Sequence, residues 1–151
     1  MRYPSQMPSL YADTLQSAER LHLIRLLLWG AASILAGSGL LTWMMIRAQK
    51  SDLLWHFAVQ IAAWGAVDAI IGAIMLPQIV MRDIHSATRL DRFLWLNIGL
   101  DVGYVLVGIT LLATGWRLGR RLGLVGAGMG VVVQGLALAL LDMMFIARIS
   151  L

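Results

Sequence analysis

Three aspartates interrupt long apolar stretches of the sequence and are the strongest candidates for chemistry. Asp68 lies in AAWGAVDAIIG, Asp101 in LNIGLDVGYV and Asp142 in LALLDMMF. An acid at the centre of a bilayer costs about 2.5 to 3.5 kcal/mol, so intramembrane carboxyl groups normally face a partner or a cavity, and in transporters they commonly relay protons or bind cations. We therefore predict a buried site that binds or moves a cation or a proton.

Other polar residues recur at helical spacing from these aspartates. Residues three, four or eight positions apart share one face of a helix. Asn97 and Tyr104 flank Asp101 by one turn, while amides precede Asp68 and Asp142 by two turns. The predicted site therefore comprises Asp68, Asp101, Asp142, Asn97, Tyr104, Gln60, Gln134 and Arg25.

Arg25 is the candidate countercharge, because it lies among apolar residues in LHLIRLLLW. Its long side chain could turn inward to an aspartate, or extend outward to lipid phosphate. Both alternatives remain open from the sequence.

The aspartates also have a purely structural interpretation. In that case they are protonated and hydrogen-bonded to amides, Tyr104 and the backbone. Such bonds between membrane helices contribute about 0.6 kcal/mol on average. They would then fix the register of the helices and have no further function.

The amino-acid composition predicts that membrane-spanning helices position these residues. Of the 151 residues 60% are hydrophobic and 13% are charged, whereas soluble domains carry charge on about a quarter of residues. At about 20 residues per spanning helix, four spans nearly fill the chain. The predicted fold is an all-α, antiparallel bundle of four transmembrane helices forming a single domain over residues 1–151, with spans at about 22–46, 57–76, 93–116 and 122–147.

Two further segments are predicted to lie at the membrane surface. Residues 1–21 form an interfacial tail, and Gln78–Arg92 form a short amphipathic helix between the second and third spans. The two chain termini then share one side, which carries seven Lys and Arg residues against five on the other. This small difference weakly favours cytoplasmic termini in a bacterial inner membrane.

Small residues predict close helix packing. Gly99 with Gly103 and Gly126 with Gly130 form GxxxG pairs, which let helix backbones approach. The first pair points away from Asp101, so the third helix is predicted to be central or to bind a second copy. The alternative function is therefore a structural or accessory subunit of a larger membrane complex or homo-oligomer.

Several classes of protein are excluded or disfavoured. The chain has no cysteine, and it contains no HExxH, phosphate-binding loop or nucleophile elbow. His22 and His56 begin spans at opposite depths and cannot jointly ligate a haem. We predict no enzyme, no cofactor, no metal site and no nucleic-acid partner, because the basic residues flank apolar spans and suit lipid headgroups.

Three strings resemble an uncharacterised family of small four-helix bacterial membrane proteins with a domain of unknown function. They are WGAVDAIIG, FLWLNIGLDVGYVLVG and GMGVVVQGLALALLD, and the similarity extends from about Trp29 to Asp142. The resemblance implies a bacterial origin and four spans, and it implies no activity, substrate or partner. The matching positions are Trp64, Gly65, Asp68, Asn97, Asp101, Tyr104, Gln134 and Asp142.

Overall fold

The computed structural model describes residues 7–80 and 84–149, and within these ranges the chain is all-α. Four long helices account for nearly all of the described residues, and no strand occurs among them. Each helix is long and apolar enough to cross a membrane, so the protein is a multi-pass membrane protein by the length and composition of its helices. The helices are α1 (Met7–Ile46), α2 (Asp52–Met75), α3 (Ile84–Arg117) and α4 (Leu122–Ile149), with a 3₁₀ turn at Leu76–Gln78 after α2.

The N-terminal tail is not a separate element in the described residues. Helix α1 begins at Met7 and continues to Ile46 without a break, so only residues 1–6 of the predicted tail lie outside the description. Pro8 is compatible with this start, because the first turn of a helix needs no backbone N–H from that position. The helix therefore extends well beyond the predicted first span.

The boundaries of α2 have clear local causes. Ser51 caps the helix, and its hydroxyl accepts a hydrogen bond from the Leu54 backbone N–H. Because of this cap the helix starts five residues before the predicted Phe57. The predicted stop at Pro77 is close to the observed end, since α2 gives way to the 3₁₀ turn after Met75.

The predicted interfacial helix between α2 and α3 is not confirmed. Residues from Ile84 to Arg92 form the first turns of α3, which runs on to Arg117 as one helix. Gln78 belongs to the 3₁₀ turn, and residues 81–83 lie outside the described part of the chain. The amphipathic pattern therefore marks the polar start of a long helix.

Helix α4 is the centre of the packing, because it contacts each of the other three helices. Helix α3 packs principally against α4, which corrects the prediction that α3 could be central. Glycines set the close approaches: a Cβ on Gly30 would lie 2.6 Å from the Ala69 nitrogen, and one on Gly108 would lie 2.9 Å from the Gly128 oxygen. Only glycine allows backbones to come this near.

The two ends of the helices are distinguished by their contacts. Gly123 of α4 meets the ring of His56 on α2, so the connections 47–51 and 118–121 lie together at what we call the loop end. At the opposite, terminal end, α1, α3 and α4 pack through an apolar cluster. This cluster consists of Ala18, Leu94 and Phe145, flanked by Leu90, Ile146 and Ile149.

Candidate functional site

The three aspartates lie inside the protein on three different helices. Asp68 on α2, Asp101 on α3 and Asp142 on α4 are 3%, 5% and 7% exposed, respectively. Asp101 is close enough to both of the others to interact with them electrostatically. The structure therefore places the aspartates in one region, which we call the aspartate cluster.

Two oxygen atoms of this cluster lack hydrogen-bond partners. Asp68 Oδ2 and Asp101 Oδ2 are both buried, and neither meets a donor among the described residues. A buried polar atom left unpaired costs about 1 to 3 kcal/mol, and the cost is higher for a charged group than for a neutral one. The structural interpretation of the aspartates required these bonds, and the described residues do not provide them at these two atoms.

Asp142 has a partner that the sequence analysis did not select. His22 Nε2 of α1 lies 3.4 Å from Asp142 Oδ1, and both side chains are largely buried. The imidazole also stacks on Phe145, with ring centroids 4.8 Å apart and planes at 18°. His22 is thus held between the aspartate cluster and the apolar cluster of the terminal end.

Glu19 is a second buried ionisable group that the sequence analysis passed over. It is 6% exposed and acts electrostatically on His22, one turn further along α1. Glu19, His22 and Arg25 recur at every third position, which places them on neighbouring parts of one helix face. This spacing was the signal that could have identified both residues.

Arg25 does not neutralise the aspartates. Among the described ion pairs none joins Arg25 to an aspartate of the cluster, and its side chain is partly exposed. It is near enough to His22 to interact with it electrostatically. The inward ion pair with an aspartate is therefore absent from the described residues.

The buried amide of Gln134 is engaged away from the aspartates. Trp29 Nε1 donates to Gln134 Oε1 at 2.7 Å, and Gln134 Nε2 donates to the Ile61 carbonyl oxygen at 3.3 Å. This set of bonds joins α1, α2 and α4 in what we call the amide layer. Gln60 lies next to it, where its side chain fills the space opposite Gly130 of α4.

The two remaining predicted residues sit at the margin of the site. Tyr104 packs edge-to-face against Trp64, with ring centroids 5.0 Å apart, and its side chain is 36% exposed. Asn97 is partly buried on α3, and no described hydrogen bond connects it to Asp101. The structure therefore brings together the aspartates, and it leaves the amides and Tyr104 as separate neighbours.

The arrangement does not form a conventional metal site within the described residues. No three His, Asp or Glu side chains there converge closely enough to coordinate one ion. Hard cations such as Ca²⁺ and Mg²⁺ need several oxygen ligands around one point. A cluster of carboxyl groups beside an imidazole can instead hold and exchange protons.

Comparison with known proteins adds a family and no activity. No curated protein and no solved structure matches the chain. Residues 25–143 match the family of unknown function DUF6992. The matched stretch contains all three aspartates, whereas Glu19 and His22 precede it. Because the match covers most of the sequence, the chain belongs to the DUF6992 family.

Proposed function

We propose that this protein is a non-enzymatic integral membrane protein whose aspartate cluster binds and moves protons. The observation that carries the proposal is a pair of buried oxygens, one on Asp68 and one on Asp101, that have no hydrogen-bond partner among the described residues. Two neighbouring buried carboxylates without a countercharge are costly, and a bound proton removes one charge and supplies a donor. A proton is therefore the ligand that best fits this site.

A metal cation is the less favoured ligand. The sequence left cation and proton open, and the described residues offer no triad of acidic or imidazole ligands around one point. This absence supports proton binding over coordination of a metal ion.

An antiparallel bundle is part of the proposal. On α1 the sequence of close contacts runs Leu23, Gly30, Gly37, and the matching positions on α2 run backwards from Gly72 through Ala69 to Ala58. The connections formed by residues 47–51 and 118–121 are so short that the helix after each one must run antiparallel to the helix before it. In a bacterial inner membrane this would place both chain termini on one side, with the cytoplasm as the proposed side.

The test is proton flux in liposomes that contain the purified protein and a trapped pH indicator. We expect an imposed pH gradient to collapse faster than in empty liposomes, and Asp101→Asn, Asp68→Asn and Asp142→Asn to reduce that rate severalfold or more. Asp91→Asn is the matched control, because Asp91 is an exposed carboxyl on the same helix as Asp101. Equal flux in all four variants and the native protein would reject proton movement.

A second candidate is a structural or accessory subunit, including a homo-oligomer. It is favoured by Gly99 and Gly103, because a Cβ at either position would meet no atom within 4 Å. The GxxxG pair of α3 is thus not used inside the described protein, and a second helix could approach it.

Association in mild detergent tests this candidate. Gly99→Leu and Gly103→Leu should shift the protein from an assembly to the monomer in analytical ultracentrifugation. Gly39→Leu is the control, because Gly39 is an equally open glycine on α1. A monomeric native protein, or an assembly that survives both leucines, would remove the support for this candidate.

A further inference from the structure

We infer that the aspartate cluster exchanges protons with water at the terminal end, through Glu19 and His22, and is closed toward the loop end. The inference rests on the proposed proton-binding function. It adds Glu19 and His22 to the predicted site, and it specifies the end of the bundle at which protons enter and leave.

The first step is the contact between His22 and Asp142. Their reacting atoms are 3.4 Å apart, slightly beyond the range of about 2.6 to 3.2 Å in which protons transfer directly. A small side-chain rotation closes that difference. An imidazole can accept a proton at one nitrogen and release one at the other, so His22 Nε2 can deliver a proton to Asp142 Oδ1. The other ring nitrogen, Nδ1, is buried and has no hydrogen-bond partner among the described residues, which leaves it free to accept the next proton.

The second step connects His22 with the terminal end. Glu19 lies one turn nearer to that end and interacts electrostatically with His22. Its neighbours on α1, Gln16 and Arg20, line a cavity of about 590 Å³ that also reaches Ala73 of α2. The lining residue Gln16 is one turn from Glu19, whereas Ala73 is five residues, about 7.5 Å along α2, from Asp68. Water in this cavity at the terminal end therefore comes close to Glu19, the first group of the proposed route.

The third step is the barrier toward the loop end. In the amide layer, the Trp29 indole N–H and both the oxygen and the nitrogen of the Gln134 amide are already hydrogen-bonded. A side-chain amide neither gains nor loses a proton near neutral pH, so this layer does not relay protons. Beyond that layer, α1 and α2 touch through their backbones, where a Cβ on Gly37 would lie 2.6 Å from the Ala58 oxygen. A cavity of about 320 Å³ opens beside this contact, and its almost entirely apolar lining contains no titratable side chain. No titratable side chain of the described residues bridges this region to His56.

The charged groups around His22 fit a proton-exchanging role. On its own helix it is near Glu19 and Arg25, and Asp142 faces it from α4. Behind Asp142, Asp101 extends the series to Asp68. Acidic and imidazole groups thus follow one another from α1 into the aspartate cluster.

The experiment follows protonation of the carboxyl groups directly. The protein is embedded in nanodiscs, which expose both faces to water, and the pH is lowered by rapid mixing while the infrared band of protonated carboxyl groups is recorded. General acid–base groups typically contribute about 10² to 10⁴ in rate. His22→Gln should therefore slow the rise of the band by about 10²-fold and leave its final amplitude unchanged. His56→Gln, the same change at the exposed loop-end histidine, should match the native rate.

The outcomes separate this inference from the proposed function. If Asp68→Asn, Asp101→Asn and Asp142→Asn all leave the band amplitude unaltered, the proposed function fails. If the amplitude depends on the aspartates but His22→Gln keeps the native rate, or His56→Gln is the slow variant, the route through His22 is wrong. Should His22→Gln fail to fold, as judged by circular dichroism and gel filtration, Glu19→Gln replaces it. A native rate in that variant would equally overturn the route.

Discussion

At the scale of single residues, the site depends on which polar groups are satisfied and which are not. Gln134 has its acceptor and a donor in hydrogen bonds, whereas Asp68 and Asp101 each keep one buried oxygen that meets no donor in the part of the chain that the structure describes. Both kinds of residue looked alike in the sequence, as polar groups within apolar spans. The structure separates them into an amide layer that joins helices and a carboxyl cluster that can bind a ligand.

The bond between Trp29 and Gln134 should contribute measurably to stability. Trp29→Phe removes the indole N–H and leaves the Gln134 oxygen unpaired, so we expect a loss of about 0.6 kcal/mol, the average for bonds between membrane helices, and of no more than about 1.7 kcal/mol, the largest found. Reversible unfolding in mixed detergent micelles, followed by circular dichroism, measures this loss.

A double-mutant cycle with Gln134→Leu tests whether that loss belongs to the hydrogen bond. The two losses should be less than additive, because after Trp29→Phe the change Gln134→Leu removes only the bond from Gln134 to the Ile61 carbonyl oxygen. Trp43→Phe is the control, since Trp43 is 48% exposed and should have little effect. Additive losses from Trp29→Phe and Gln134→Leu would show that packing, and not the bond, stabilises this layer.

At the scale of helices, the sequence was sufficient to predict four apolar helices and insufficient to predict where they begin. Hydropathy marks the part of a helix that suits hydrocarbon, and α1 and α3 continue beyond that part with polar residues. A helix and an interfacial segment share the same amphipathic pattern. For that reason the N-terminal tail and the interfacial helix were predicted as separate elements, whereas in the structure they continue into α1 and α3.

Only part of the candidate site could be predicted from the sequence. Asp68, Asp101 and Asp142 were found because a carboxyl group is conspicuous in an apolar span. Trp29 was not among the predicted site residues, yet its indole N–H donates to Gln134 Oε1. Partners such as His22 and Asp142 lie far apart in the chain, and only the packing of α1 against α4 brings them within 3.4 Å.

At the scale of the whole molecule, the proposed antiparallel bundle places the aspartate cluster toward one membrane surface. Asp68 is about 24 Å along α2 from its first residue, and Asp142 about 30 Å along α4, at about 1.5 Å per residue. The loop end carries Arg and Lys residues, which mark the edge of the hydrocarbon. Because that region is about 30 Å thick, the cluster lies near its far side, consistent with exchange of protons at the terminal end.

Which compartment supplies those protons depends on topology, and the chain is suited to measuring it. The native sequence has no cysteine, so single cysteines can be introduced without background. In bacterial cells we expect Gln49→Cys and Leu118→Cys, both in exposed loop-end positions, to react with a membrane-impermeant maleimide. Asp13→Cys and Arg89→Cys, at the terminal end, should react only after permeabilisation. The cysteine-free protein is the control for nonspecific labelling.

This pattern would confirm antiparallel helices with cytoplasmic termini, and the aspartate cluster would then sample cytoplasmic pH. The reverse pattern would keep the antiparallel bundle and turn the site toward the outer side of the membrane. Labelling of all four positions from one side would contradict the bundle itself, because its two ends must lie on opposite surfaces if the helices span the hydrocarbon. The weak excess of basic residues at the terminal end favours the first pattern.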